Sequence, residues 1–170
     1  MNDILKQIQS KIDSRILIDY DMKKSTWFRA GGYSKGYTIV NNIRDLKTII
    51  SFSDHIKYYI VGVGSNLMVR DQGFNGIIIK LGRNFNNIQI RNKKISVGAG
   101  VLDINLAKFA TNNSIKDFEF FSGIPGTIGG AIKMNAGCFG GETSNNLKRI
   151  LVIDKFGKLK YLNSEELKLD

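Results

Sequence analysis

Glycine is concentrated in residues 121–142, which read FSGIPGTIGGAIKMNAGCFGGE. Seven glycines fall there beside Pro125, the only proline of the chain. Each glycine inside a helix or strand costs roughly 0.5 to 1 kcal/mol relative to alanine, so this many glycines need a compensating use. The pattern predicts neither a regular helix nor a regular strand, and it favours a segment whose backbone approaches a ligand closely.

A second glycine loop, Gly-Val-Gly-Ser-Asn at residues 62–66, lies between two apolar runs. Two strands joined by such a turn would point several backbone N–H groups at one place, which suits an anion the size of a diphosphate. Ser65 and Asn66 would add side-chain donors. An ordinary hairpin turn is the alternative. A Rossmann fingerprint is excluded, because Leu67 stands where its third glycine belongs and a strand is predicted to follow.

The sequence contains few residues that could support metal binding, disulfide bonds or nucleophilic catalysis. His55 is the only histidine and Cys138 the only cysteine, so the chain has no His/Cys metal cluster and no intramolecular disulfide framework. Catalysis by a serine or cysteine with a histidine would have to use His55, which lies in a polar stretch at the predicted end of a helix. We therefore assign no catalytic residue and no metal ligand from the sequence.

The composition is that of a globular chain, with 42% hydrophobic and 24% charged residues and a formal net charge of +10. Lysine is spread along the chain and arginine does not cluster with aromatic residues, which disfavours nucleic acid as the partner. No apolar run is long enough to span a membrane, and residues 1–14 do not resemble a signal peptide. We expect a cytoplasmic protein that attracts anionic ligands.

Hydrophobic periodicity predicts an α+β fold with two lobes. Ile4, Leu5, Ile8 and Ile12 mark one face of an N-terminal helix, and Asn42 is a candidate N-cap for a second. The expected divisions are residues 1–24, a helix and an extended segment; 25–70, a first lobe of βαβ type; and 71–170, a second lobe. Both glycine segments are expected at the junction of the lobes. We expect further helices at 43–52 and 103–113, and strands at 15–20, 37–40, 58–63, 67–69, 76–81, 87–91, 95–97, 147–153 and 158–162.

Four motifs occur in an order that resembles the UDP-N-acetylenolpyruvoylglucosamine reductases. They are Thr26-Trp27-Phe28 with Gly31-Gly32, GVGSNL at residues 62–67, GIPGTIGG at residues 123–130 and MNAG at residues 134–137. The resemblance covers roughly residues 25–170. It implies the two-lobed FAD-binding fold of the vanillyl-alcohol-oxidase (PCMH) type.

The resemblance also implies which residues hold FAD. The first loop would bind the diphosphate, and the second segment would lie along the adenosine, the diphosphate and the isoalloxazine. We expect both segments to present backbone N–H donors. The implied cofactor-binding residues are Gly62, Gly64, Ser65, Asn66 and Leu67 in the first loop and Ile124, Pro125, Gly126, Gly129, Gly130 and Gly137 in the second segment.

Two departures from the family pattern matter. Cys138 and Phe139 stand where the family has alanine and tyrosine, so any role of the tyrosine hydroxyl is lost. A covalent bond from Cys138 to the flavin is disfavoured against a small buried side chain. In the family, a Glu-Glu-hydrophobic stretch leads into a Tyr-Arg-x-Ser segment with a catalytic arginine, whereas this sequence ends at residues 165–170. We expect the substrate-binding domain to be absent.

The implied reaction passes a hydride from NADPH through FAD to the enolpyruvyl group of a UDP-sugar, and yields UDP-N-acetylmuramate for peptidoglycan. This chain would supply the cofactor-binding part, with little or no activity by itself and a separate C-terminal fragment as its partner. Two alternatives stay open. One is a non-catalytic flavin-binding remnant or partner module, and the other is a different FAD oxidoreductase of the same superfamily.

Overall fold

A four-stranded mixed sheet forms the centre of the first of two units in the computed structural model, which describes residues 2–92, 94–167 and 169. The units are Met1–Gly82 with Ile153–Lys158, and Arg83–Val152 with Leu159–Asp170. The sheet order is β1-β2-β4-β3, with β1 antiparallel to β2 and β4 parallel to both β2 and β3. The strands are β1 (Ile16–Asp21), β2 (Tyr33–Val40), β3 (Tyr58–Val61) and β4 (Phe74–Leu81). Three consecutive isoleucines of β4 are buried, as a central strand covered on both faces requires: Ile77, Ile78 and Ile79.

Two helices complete the first unit, α1 (Asn2–Gln9) and α2 (Ile43–Ile50). Asn42 caps α2 as predicted, because its side-chain oxygen accepts a hydrogen bond from the Asp45 N–H at 2.7 Å. Asp45 in turn accepts from the N–H and the hydroxyl of Ser14 at 2.7 and 2.6 Å. Burial would raise the pKa of Asp45, but the hydrogen bonds from Ser14, Asp13 and Asn42 together outweigh it and hold the pKa below its ordinary value.

The predicted βαβ unit differs from the observed one in its pairing. The chain runs β2-α2-β3, but β3 does not pair with β2, because β4 lies between them. The strand predicted at residues 76–81 therefore belongs to the first unit, which continues to Gly82 instead of ending near residue 70. No strand forms at residues 67–69, and the parallel pairing of β3 with β4 excludes a hairpin across the first glycine loop.

The second unit combines short hairpins with helices. The hairpin strands β5 (Ile88–Arg91) and β6 (Lys94–Val97) confirm the predicted pair of strands. The predicted helix forms as α3 (Asp103–Asn112). The remaining elements are α4 (Ile128–Lys133), β7 (Gly137–Cys138), β8 (Gly141–Glu142), α5 (Thr143–Asn146) and the paired strands β9 (Arg149–Ile153) and β10 (Leu159–Asn163).

Aromatic and aliphatic side chains from three elements form the core of the second unit. Phe120 and Phe121 pack with ring centroids 4.1 Å apart. On α3, Leu106 and Ala110 are buried and Phe109 is half-buried. This core supports α4, and the core cluster consists of Val101, Leu106, Ala107, Phe120, Phe121, Ile128 and Ala131.

Candidate functional site

The first glycine loop is anchored by the segment that precedes β2. A Cβ placed on Gly64 would lie 2.1 Å from the Ser25 carbonyl oxygen, and the φ of Gly64 is +74°. The Trp27 N–H donates to the Gly64 carbonyl oxygen at 3.0 Å. Only glycine satisfies both the positive φ and the contact with Ser25. The glycine at position 64 therefore gives the loop its shape, and this requirement arises within the protein itself.

The loop exposes backbone donors. In the described part of the chain, no N–H group of residues 63–67 donates to a protein atom, and the Ser65 and Asn66 side chains make no hydrogen bond either. Gly64 is buried, Ser65 is half-buried and Asn66 is exposed. Backbone N–H groups without a partner in the protein are free to donate to a ligand. Successive unpaired N–H groups with two flanking polar side chains fit the nest expected for a diphosphate.

Within the second glycine segment, residues Ile128–Lys133 form the helix α4, contrary to the expectation that no regular helix forms there. Thr127 caps α4, since its side-chain oxygen accepts from the Gly130 N–H at 3.4 Å and its carbonyl accepts from the Ala131 N–H at 2.8 Å. Ile128 and Ala131 are buried in the core of the second unit. The cap and this burial compensate for two glycines in so short a helix.

Most N–H groups of this segment are used within the protein, so it does not present a row of donors as the first loop does. The Ile124 N–H donates to Phe121 O at 3.3 Å, and the Gly126 N–H donates to Ile124 O at 3.0 Å. The Gly129 N–H donates to Ala99 O at 2.8 Å. The expectation of a second surface of backbone donors was therefore wrong for these residues.

Close packing inside the protein accounts for three of the predicted cofactor-binding glycines. A Cβ on Gly126 would lie 2.6 Å from Asp103 Oδ2, and one on Gly137 would lie 2.7 Å from Gly141 O. A Cβ on Gly129 would lie 3.0 Å from Ala99 O. These three glycines let backbone and side chains of the second unit approach one another.

Gly130 has no such explanation. The nearest protein atom to a Cβ there is Thr127 Oγ1 at 3.5 Å, which is an ordinary contact, and the position is exposed. A glycine inside a helix costs about 1 kcal/mol relative to alanine. Packing within the second unit therefore does not require a glycine at position 130. Ile124 is half-buried and Pro125 exposed beside α4.

The two residues that depart from the family pattern lie in different surroundings. Cys138 is half-buried and packs against the core of the second unit, with its Sγ 2.5 Å from the position of a Cβ on Gly123. This packing agrees with the small buried side chain that we expect there. Phe139 has 83% of its surface exposed and has a φ of +54°.

Sequence reasoning missed the importance of Asp103, the first residue of α3. At a helix N-terminus an acidic side chain is usually solvated and interacts with the helix dipole. Asp103 is instead fully buried, and neither carboxylate oxygen has a hydrogen-bond partner among the described residues. Burial raises the pKa of Asp103 to about 7, although the nearby Gly126 backbone, which does not reach hydrogen-bond geometry, partly opposes this shift. The hydrophobic periodicity of the sequence does not predict the burial of Asp103, and the apolar residue beside it, Leu102, is exposed.

The family described as "FAD binding domain" matches residues 34–163. The chain belongs to this family of FAD-binding domains. It is 46% identical over 157 residues to the UDP-N-acetylenolpyruvoylglucosamine reductase of Pelagibacter ubique, a match that covers 91% of this chain and 52% of the relative. It is 41% identical over 150 residues to the reductase of Rickettsia massiliae, covering 88% and 51%. The chain thus spans about half the length of the curated relatives that it matches.

Solved structures confirm the predicted fold of this FAD-binding domain. UDP-N-acetylenolpyruvylglucosamine reductase from Thermus caldophilus superposes with a TM-score of 0.75 at 29% identity, over 90% of this chain and 53% of that one. 6-Hydroxy-D-nicotine oxidase from Arthrobacter nicotinovorans superposes with a TM-score of 0.65 at 18% identity, over 91% and 37%. The latter likeness concerns the fold alone, which is the α+β FAD-binding fold of the vanillyl-alcohol-oxidase (PCMH) type.

Proposed function

We propose that this chain is the FAD-binding part of an NADPH-dependent reductase that converts UDP-N-acetylenolpyruvoylglucosamine to UDP-N-acetylmuramate in peptidoglycan synthesis. The observation that carries the proposal is the run of unpaired backbone N–H groups at residues 63–67, in a chain that belongs to an FAD-binding family. The named relatives favour this reaction over that of another FAD oxidoreductase.

In the first unit, the loop would hold the diphosphate through its backbone. Hydrogen bonds to a charged oxygen are about twice as strong as neutral ones, so several N–H groups aimed at one diphosphate give substantial affinity. The Ser65 hydroxyl and the Asn66 amide would add side-chain donors. The residues proposed to bind the diphosphate are Gly62, Gly64, Ser65, Asn66 and Leu67.

In the second unit, the proposed role is contact with the cofactor surface. The exposed backbone of α4 at Gly130 would come against the cofactor, while tighter packing elsewhere keeps this short helix in place. FAD itself supplies the hydride-transfer chemistry when it is bound. The residues proposed to line the cofactor are Ile124, Pro125, Gly126, Gly129, Gly130 and Gly137.

We assign no catalytic residue in this chain. In this proposal the whole enzyme is needed for proton donation, for NADPH binding and for binding of the UDP-sugar. The chain alone would show little or no reductase activity. A separate fragment that supplies the remaining half of the relatives' length would be its partner. None of the helices in the described part of the chain has the length and apolar character needed to cross a lipid bilayer. We propose a cytoplasmic location.

Retention of FAD by the purified chain tests the proposal. After incubation with FAD and removal of the excess by gel filtration, the wild-type chain should keep the visible absorption bands of flavin. The double substitution Ser65→Ala with Asn66→Ala should weaken FAD binding by about tenfold or more, because two donors are lost. Ser51→Ala removes an exposed hydroxyl at the end of α2 in the same unit and should leave FAD binding unchanged. A folded wild-type chain that keeps no flavin would contradict the proposal.

A further inference from the structure

An aromatic turn lies beside the loop of unpaired donors. The Arg29 N–H donates to Thr26 O at 3.2 Å, which closes a tight turn with Trp27 and Phe28 at its tip. These two side chains have 61% and 57% of their surface exposed. Large aromatic side chains held in water lose the stabilisation that burial would give them, so an exposed pair at one turn indicates a contact surface.

The turn is fixed to the loop by its backbone. Trp27 donates its N–H to Gly64 O at 3.0 Å, and the preceding Ser25 carbonyl packs directly on Gly64. The Thr26 hydroxyl donates to Ala30 O at 3.2 Å across the turn. The backbone that carries the Trp27 ring is therefore held against the loop at Gly64.

The base of the turn is anchored as well. The Tyr20 and Ser25 hydroxyls are 3.0 Å apart, within hydrogen-bonding distance. The Tyr20 ring stacks on that of Tyr37, with centroids 4.0 Å apart, and Tyr37 is buried in the sheet. Such an anchor reduces the conformational entropy that a ligand would have to remove on binding.

We infer that Trp27 is a stacking platform for a planar heteroaromatic ring that is joined to the diphosphate in the first loop, an inference that rests on the proposed function. The turn precedes residues 34–163, which match the FAD-binding domain, and none of its residues is among the proposed cofactor-binding residues. Stacking suits the position, because a tryptophan offers a large rigid face and gains affinity with any base-like ring. Met68, which is 71% exposed on the same loop, adds apolar surface.

Two rings of the cofactor have this chemistry, adenine and isoalloxazine, and separate ligands distinguish them. Affinities for FAD, ADP and FMN should be measured by titration calorimetry on the wild-type chain and on Trp27→Ala, Trp27→Phe and Phe156→Ala. We expect Trp27→Ala to weaken FAD binding by about 5- to 150-fold and Trp27→Phe to keep it within about threefold. The loss should recur with ADP if adenine stacks, and with FMN if isoalloxazine stacks. Phe156, 70% exposed in the same unit, is the matched control and should have no effect.

The single tryptophan gives a second readout that needs no substitution. Trp27 is the only tryptophan of the chain, so acrylamide quenching of its fluorescence reports on this ring alone. Quenching should decrease on saturation with whichever of ADP and FMN carries the stacked ring. Unchanged quenching with both ligands, or equal FAD affinity in Trp27→Ala and the wild-type chain, would overturn the inference and leave the proposed function standing. A wild-type chain that binds none of the three ligands would overturn both.

Discussion

The buried carboxylate of Asp103 lies directly against the backbone of Gly126. The Asp103 N–H donates to Gly126 O at 3.2 Å, and a Cβ on Gly126 would lie 2.6 Å from Asp103 Oδ2. The start of α3 thus supports the Ile-Pro-Gly-Thr segment that leads into α4. Neither oxygen of Asp103 has a hydrogen-bond partner in the described residues. The side chain that limits the size of residue 126 is therefore also a buried group that can titrate.

Gly126→Ala should destabilise the second unit. The added methyl group would overlap the buried carboxylate of Asp103, and overpacking of this kind costs about 1 to 3 kcal/mol. Chemical denaturation of the purified chain measures the free energy of unfolding. Asp103→Ala removes the overlapping atoms, so Gly126→Ala should destabilise an Asp103→Ala background less than the wild-type chain. Equal losses in both backgrounds would show that the contact is not the cause.

Stability should fall as the pH rises from about 4 to about 7. The folded-state pKa of Asp103 is about 7, whereas an exposed aspartate in the unfolded chain titrates near 3.9. Between these values the folded state holds a proton that the unfolded state has released, so raising the pH favours unfolding. The change cannot exceed about 4 kcal/mol, because one pKa unit corresponds to about 1.4 kcal/mol.

Asp103→Asn isolates this titration. The amide cannot ionise, so the variant should be more stable than the wild-type chain near pH 8 and should lose most of the pH dependence between about pH 5 and pH 8. The depressed pKa of Asp45 acts in the opposite direction, since its stabilising contribution is lost only as the pH falls through its low folded-state value. Unfolding curves above about pH 5 therefore separate the two carboxylates. An unchanged pH slope in Asp103→Asn would refute the assignment.

Local features of the fold could be predicted from the sequence where one element contains its own signals. Asn42 and the apolar face of α2 predict that helix and its start, and both are confirmed. The insertion of β4 between β2 and β3 could not be predicted, because pairing joins residues far apart in the chain and periodicity within one strand does not reveal its neighbours.

In the candidate site, too, local features could be predicted from the sequence and long-range contacts could not. Glycine at residues 62–66 predicts a tight, donor-rich turn, but the strand expected at residues 67–69 does not form, and β3 pairs in parallel with β4. Glycine in residues 121–142 disfavours a helix by propensity, yet α4 forms because Thr127 caps it and Ile128 and Ala131 are buried. Tertiary contacts determine which glycines pack against protein atoms and which face open space. No local sequence pattern contains this information.

Substitutions at neighbouring glycines of α4 should have opposite effects. Gly130→Ala should stabilise the chain by about 0.5 to 1 kcal/mol, because alanine is the better helix former and its methyl group meets only Thr127 at 3.5 Å. The same methyl group should weaken FAD binding if the cofactor lies against this position. Thermal denaturation without ligand and calorimetric titration with FAD measure the two effects separately.

Gly129→Ala is the matched control for Gly130→Ala. Its methyl group would lie 3.0 Å from Ala99 O and 3.1 Å from the Ala99 side chain, so the gain in helix propensity should be offset by crowding. We expect a lower unfolding temperature than that of Gly130→Ala. A Gly130→Ala variant that is stabilised but binds FAD as the wild-type chain does would remove Gly130 from the cofactor site.

Gly64→Ala should be among the most destabilising single substitutions in the first unit. Alanine at a φ of +74° costs about 1 to 2 kcal/mol, and the overlap with Ser25 O adds about 1 to 3 kcal/mol. Gly140→Ala separates the two contributions, because Gly140 has a φ of +81° but no protein atom lies within 4 Å of its Cβ position. Chemical denaturation should therefore show a loss of about 1 to 2 kcal/mol for Gly140→Ala and a clearly larger loss for Gly64→Ala. Similar losses would mean that the loop moves away from Ser25 in Gly64→Ala. The Trp27 N–H would then also lose its hydrogen bond to Gly64, and that amide would exchange faster with solvent deuterium.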